Sequence, residues 1–515
     1  MREAGPAGPI GIRAVGAPGG RPEAPDRERL ILFLGGAALA VLTAVRLLTL
    51  ARDAWEWDEL LFTAAAREGI DVRPNHPHPP GYPAYSLLAR LLHLAGLDPF
   101  LAALAVAVIA GIVAVPALAA FSCELGVPPR AALFGSLLWA FVPAVWLHSV
   151  RPLSDAPGAA AFFVAGYLFL RAWREPSRGW IVGAALAAAV SAGVRPQVGL
   201  ALAPMALLVA VRTARTKGGV ARALTAGAAG AAAAVLLYLP VVLGSGGLAG
   251  YLEALGKLME FVRVVDAPST SQLLTPGLWA RWLLDPFGPR TSGLSVWALA
   301  LVGVAVSPRR AAAAAGFFVP LAALSVPLLA AGTAPRYALT LVAFPCLLAT
   351  LAVGDIVRRR RWAGSVLATV LLGAVAFPGV PAIVEVATRS SPSVAAVSAL
   401  RDDPALRGRP LVVDGALGVH CEEMLGGVFP AADGDRPTHP GPGGLVVKVD
   451  SGAFGLAPLR LFRYEEPLLG VISRARYLEV GIYDGEATDA PLVRVGGKDS
   501  RTDSRTPGSR RPGGR

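Results

Sequence analysis

The chain has 515 residues, 54% of them hydrophobic and only 16% charged, against about 25% charged in an ordinary soluble domain. That balance argues against a soluble globular protein and for one that crosses a membrane many times. The net charge of +12 does not indicate nucleic acid. Its arginines fall in short clusters between apolar runs, the positive-inside pattern of membrane topology. Cys123, Cys346 and Cys421 are too far apart to suggest a disulfide framework or a zinc motif.

In chain order, residues 1–28 are rich in Gly, Pro and Arg, lack an apolar period and read as a disordered cytoplasmic arm. The run 30–50 is longer than a signal-peptide core and reads as an uncleaved first span. Further spans are expected near 98–121, 131–149, 154–171, 179–194, 197–212, 222–243, 292–306, 311–331, 336–354 and 362–384, about eleven in all. With the N-terminus inside, the inner connections carry Arg130; Arg171, Arg174 and Arg178; Arg212, Arg215, Lys217 and Arg222; Arg309 and Arg310; and Arg358 to Arg361. Every inner loop is then short and basic, as cytoplasmic loops are. The outer connections are 51–97, 150–155, the turn at Arg195, 244–291, 332–336 and everything after about 385. Amphipathic stretches at 87–97 and 250–264 read as helices lying in the interface.

After residue 388 charged residues return. The stretch "SVAAVSALRDD" reads as a helix, and "PLVVDG", "GLVVKV", "LRLFRY" and "YLEVGIY" read as strands. The expected organisation is a transmembrane domain over 29–388, an extracytoplasmic α/β domain over 389–497 and a disordered polar tail over 498–515.

The ionisable residues of the outer connections gather in four places. Asp58, Glu59, His76 and His78 lie in the first loop; Arg151 and Asp155 in "HSVRPLSDAPG"; Arg195 in "AGVRPQVG"; Arg336 in "GTAPRYALTL". Ionisable groups at helix ends in a membrane are costly unless paired or solvated, and mark function. Arginines can grip a phosphate with two nitrogens, and a carboxylate beside a sugar's anomeric carbon can take an acceptor's proton. Glycosyl transfer from a lipid-phosphate sugar would use both.

"WEWDELLF" followed by "HPHPPGYPAYSLLARLL" resembles the first outer loop of GT-C-type integral membrane glycosyltransferases. These include the protein O-mannosyltransferases and the aminoarabinose transferases acting on lipid A. "RPLSDAPG", "VRPQ" and "PRYALTL" are similar to segments recurring there. The resemblance covers about residues 30–384. It implies an α-helical polytopic membrane protein, GT-C-like, with about eleven transmembrane helices and a small C-terminal α/β outer domain. It implies inverting transfer from a polyprenyl-phosphate sugar to a lipid, glycan or protein hydroxyl, at the outer face of a bacterial plasma membrane. The catalytic acid is then Asp58, with Glu59 beside it. The substrate-binding set is His76, His78, Tyr82, Arg151, Asp155, Arg195, Arg336 and Tyr337.

The plainer readings are solvated loop acids at Asp58 and Glu59, a stiff turn at His76–Tyr82, an i,i+4 pair between Arg151 and Asp155, and arginines snorkelling to headgroups. No cofactor is demanded, and a divalent metal joining His76 or His78 to Asp58 stays open. "GVHCEEM" reads as a solvated loop. The partners expected are the donor, the acceptor and membrane lipids, without nucleic acid. The rival function is a transporter or flippase of lipid-linked sugars, which would place its polar residues near the bilayer midplane.

Overall fold

The computed structural model describes residues 25–261, 263, 276–325, 335–414, 417–426, 431–432, 443–449, 457–473 and 479–485. Most of the expected N-terminal arm and all of the tail lie outside them.

Helices stand at the expected spans: α1 (Pro25–Leu48), α4 (Pro99–Glu124), α5 (Pro129–Ala140) with α6 (Pro143–Ser149), α7 (Asp155–Arg174), α8 (Arg178–Val194), α9 (Pro196–Ala201) with α10 (Ala203–Ala214), and α11 (Gly219–Gly244). They continue with α14 (Arg290–Val306), α15 (Pro308–Ser325), α16 (Ala343–Arg359) and α17 (Arg361–Ala376) running on to α18 (Val380–Thr388). The first connection contributes α2 (Trp57–Glu68) and α3 (Pro83–Leu94); the later long one contributes α12 (Gly247–Phe261) and α13 (Pro276–Leu283). By length and composition, four stretches among the described residues can cross a membrane, or five if α5 and α6 form one span bent by 72°. Several other expected spans form helices of 17 or 18 residues, short of the ~20 residues a straight crossing takes. The chain is an α-helical polytopic membrane protein.

Local chemistry explains the helix ends. Asp98 caps α4 by accepting from the backbone N–H groups of Phe100 and Leu101, with Pro99 at the first helical position. α4 packs along α7, and a Cβ at Gly166 would stand 2.8 Å from the Phe121 ring; glycine is what lets the two helices approach. At the α5–α6 bend, buried Arg46 donates to the carbonyl of Ala140, and its guanidinium lies 5.4 Å from the Trp146 ring. A cation at a helix C-terminus satisfies a carbonyl that has no partner in the helix, so Arg46 holds the bend through which α6 leads to Arg151.

α3 presents Leu88, Leu91 and Leu94 outward and buries Tyr85 and Ala89. The turn before it is pinned. Gly81 has φ +91°, and a Cβ there would meet Val241 of α11 at 2.7 Å, so both its conformation and the space require glycine.

The C-terminal part folds as a small α/β domain. Helix α19 (Pro392–Asp402) and strands β1 (Leu411–Asp414), β3 (Leu445–Val449), β4 (Arg460–Arg463) and β5 (Glu479–Asp484) coincide with the stretches read from the sequence. A two-residue strand, β2 (Ala431–Ala432), ends the run "VFPAA", where Pro430 argues against a strand. The sheet order is β2-β1-β3-β5-β4, parallel from β2 to β3 and antiparallel from there. Its core joins Val413, Val447, Val480 and Ile482 to Ala396, Val397 and Leu400. "GVHCEEM" is not a solvated loop: it forms α20 (Gly418–Leu425), with His420 and Cys421 fully buried. Leu417, Cys421 and Met424 share one helical face against the domain core, and burial pushes the His420 imidazole down to about 4.

The domain docks on the helical body. Glu423 pairs with Arg67 of α2 at 2.6 Å. The backbone N–H groups of Glu465 and Glu466 donate to Glu385 at the end of α18, at 2.7 Å each. A short helix, α21 (Leu469–Ile472), sinks Leu469 and Ile472 into the main apolar core.

Candidate active site

α2 begins at Trp57, so Asp58 and Glu59 fall in its first turn, where the helix N-terminus favours negative charge. Successive residues on a helix point to different sides, and these two diverge. Glu59 faces the interior: Oε2 accepts from the backbone N–H of Trp55 at 2.7 Å, and Oε1 pairs with Nη2 of Arg151. Asp58 faces the 3-10 turn Pro335–Ala338: Oδ2 accepts from Nη2 of Arg336, and Oδ1 lies 3.6 Å from Nε2 of His78.

Glu56 ties the two halves. Oε1 lies 3.2 Å from Nη2 of Arg151, and Oε2 accepts from Nη1 of Arg336 at 3.0 Å. Ser473, just past α21, accepts from Nη1 of Arg151 at 3.3 Å and donates to Glu56 at 3.5 Å. The result is a buried row of alternating charge, Glu59–Arg151–Glu56–Arg336–Asp58, ending on His78. Burying charge is tolerable only with such compensation. Burial, opposed by Arg151 and reinforced by the Glu56 charge, pushes the Glu59 carboxyl up to about 7.

A second pair stands beside this row. Nη2 of Arg195 lies 2.8 Å from Oδ2 of Asp155, and Nε donates to Ser154 at 3.1 Å. The guanidiniums of Arg195 and Arg336 lie 5.6 and 5.1 Å from the centre of the Tyr337 ring. Together with Thr340 and Ser325 they line a small polar pocket of about 20 Å³. Nε of Arg336 has no hydrogen-bond partner among the described residues.

The fold thus brings Asp58, Glu59, His78, Arg151 and Arg336 into one network, with Arg195, Asp155 and Tyr337 adjoining it. Tyr82 packs edge-on against His78, with ring centres 5.1 Å apart. His76 is directed elsewhere, with Nδ1 3.1 Å from Glu68 of α2 and its backbone bridged to Asp71. Arg151 does not pair with Asp155. It precedes the first turn of α7, where i,i+4 spacing no longer brings side chains together, and each takes another partner. Sequence reasoning missed Glu56, although an acid between two tryptophans was a signal of a buried charge. Ser473 had no signal at all.

Solved structures share this architecture. ArnT from Cupriavidus metallidurans aligns over 90% of this chain and 99% of its own, with a TM-score of 0.51 and 15% identity. ArnT bound to undecaprenyl phosphate aligns over 88% and 97%, again with a TM-score of 0.51 and 15% identity. The chain has a GT-C-type fold. The Archaeoglobus fulgidus oligosaccharyltransferase, in its complex with zinc and sulfate, aligns over 76% of this chain with a TM-score of 0.50 and 13% identity. This chain spans 62% of the length of that oligosaccharyltransferase. No protein-family model matches the sequence, and no curated protein is similar to it in sequence.

No group of three or more His, Cys, Asp and Glu side chains among the described residues is placed to hold a divalent cation. His76 and His78 face different carboxylates. Glu56, Asp58 and Glu59 are paired with two guanidiniums, those of Arg151 and Arg336.

Proposed function

We propose that the chain is a membrane glycosyltransferase. It moves a sugar from a polyprenyl-phosphate donor to a lipid, glycan or protein hydroxyl at the outer face of a bacterial plasma membrane. The observation that carries this reading is the segment Arg336–Val342. Arg336, Tyr337, Leu339 and Thr340 line the polar pocket with Arg195. Ala338, Leu341 and Val342 line an apolar cavity of about 210 Å³ with Trp282, Phe287 and Phe318. An amphiphile with an anionic phosphate and a prenyl tail fits across that segment: the head meets two arginines, the tail meets aromatic and aliphatic side chains. The likeness in fold to ArnT bound to undecaprenyl phosphate supports the same ligand class.

In this reading the acceptor oxygen attacks the anomeric carbon opposite the phosphate, inverting it. The carbon–oxygen bond to phosphate breaks, and its electron pair leaves with the phosphate. Asp58 takes the acceptor's proton as general base. Arg336 and Arg195 offset the charge growing on the leaving phosphate. Arg336 bonds Asp58 in the present arrangement; a phosphate drawing that guanidinium toward itself releases the carboxylate for catalysis.

The test supplies the purified protein with undecaprenyl-phosphate derivatives of several sugars and an envelope extract, and reads products by mass spectrometry. Loss of one donor, with undecaprenyl phosphate and a glycosylated acceptor formed together, is expected. A donor moved across proteoliposome membranes with its sugar–phosphate bond intact would overturn the proposal in favour of transport.

A further inference from the structure

We infer that His78 is a proton relay: Asp58 passes the proton taken from the acceptor hydroxyl to Nε2 of His78. This rests on the proposed transfer and adds a second proton acceptor to it.

The geometry settles which nitrogen is bare. Nδ1 of His78 lies 2.9 Å from the carbonyl oxygen of Pro79. A carbonyl only accepts, so Nδ1 carries the hydrogen, and in the neutral ring Nε2 holds a lone pair. That lone pair faces Oδ1 of Asp58 at 3.6 Å, beyond hydrogen-bond distance. Two acceptors face each other across a gap that a proton would close.

The surroundings hold the ring there. The ring centre of Tyr82 lies 5.1 Å away and that of Phe62 6.5 Å away, and the turn is pinned at Gly81. The charged and titratable groups around it are Asp58 from α2, Tyr82 on its own turn and, acting on Tyr82, Arg195, Tyr337 and Arg336. His76 and Glu68 face one another instead.

Charge balance says why a relay helps. The row holds three carboxylates, Glu56, Asp58 and Glu59, against two guanidiniums, Arg151 and Arg336. A proton resting on Asp58 would remove the anion that Arg336 bonds, although Glu56 still faces that guanidinium. Moved to His78, it restores Asp58 as an anion and makes a third cation beside it. The acceptor O–H bond breaks, its oxygen bonds the anomeric carbon, and the proton passes from Asp58 to Nε2. From there it leaves to water, because the His78 side chain is 21% exposed and that of Asp58 only 6%.

The experiment labels the histidines of the full chain with ¹⁵N in detergent and records long-range ¹H–¹⁵N spectra, with His78→Gln identifying the signals of His78. The neutral ring is expected in the Nδ1–H form, with Nε2 bare toward Asp58. A neutral Nε2–H form overturns the relay. This arm needs no sugar donor, so it stands apart from the fate of the proposed transfer. A kinetic arm uses the undecaprenyl-phosphate sugar turned over by the wild type. His78→Gln is expected to lower kcat about 10²-fold with donor KM unchanged and to alter the pH dependence of kcat. A rise in donor KM with kcat unchanged would make His78 a binding residue and overturn the relay.

Discussion

Nη1 of Arg336 lies 3.0 Å from Oε2 of Glu56, 280 residues earlier in the chain. Glu56 also holds Arg151, so one carboxylate compensates two buried guanidiniums. Glu56→Gln keeps the shape and removes the charge. It is expected to destabilise the protein by about 1.5–3 kcal/mol, the worth of a charged hydrogen bond, because Arg151 keeps Glu59 and Arg336 keeps Asp58. Thermal unfolding in detergent measures this. Adding Arg336→Met should deepen the loss, because Asp58 then lacks its guanidinium partner. An unfolding temperature unchanged in Glu56→Gln would mean that the pair carries no stability.

Asp58→Asn removes the basic oxygen and is expected to slow transfer by about 10²–10⁴-fold, with donor binding little changed. Arg336→Ala should weaken donor binding, and Arg336→Lys should restore only part, because an ammonium lacks the two-pronged grip. Turnover and binding of the radiolabelled donor separate the two effects. A fully active Asp58→Asn protein would remove Asp58 from the role of base.

Glu59 makes stability depend on pH. Its carboxyl is raised from 4.5 to about 7 in the fold, so between those values the folded state holds a proton that the unfolded state has lost. Stability from this group is therefore full below about 4.5 and declines as pH rises through about 7. Unfolding temperatures from pH 5 to pH 8 should decline less in Glu59→Gln than in the wild type, under the same detergent and about the same ionic strength. Equal slopes in both proteins would contradict the assignment.

Ala322 lines the apolar cavity between Phe318 and the Ala338–Val342 segment. Ala322→Trp should fill much of it and displace prenyl units, each buried methylene being worth about 0.8 kcal/mol. Affinity for undecaprenyl phosphate is expected to drop about tenfold or more, while a short-chain prenyl phosphate binds as before. Competition binding with both lipids checks this. Equal losses for both chain lengths would place the tail elsewhere.

Reporter fusions at Arg215, Arg359 and Asp414 test orientation. The first two are expected inside, after α10 and at the end of α16, and the third outside, at the end of β1. A cytoplasmic Asp414 would set the C-terminal domain, and the end of the bundle it docks on, on the wrong side for the proposed donor.

The positions of the helices were legible in the sequence, because an apolar run near twenty residues long declares itself by local composition. The strands of the C-terminal domain were legible for the same reason, except Ala431–Ala432, which pairs with β1 directly after Pro430, a residue that argues against a strand. The candidate site was legible only as a list of charged residues at helix ends. Nothing local says that Arg151 turns to Glu56 and Glu59 while Asp155 takes Arg195, or that His78 meets Asp58 while His76 meets Glu68. Glu56 and Ser473 stand 417 residues apart. An apolar side chain is satisfied by any apolar neighbour, so its burial can be read from the chain alone. A buried charge needs one particular counter-charge at hydrogen-bond distance, and which residue supplies it is decided only when distant segments fold against each other.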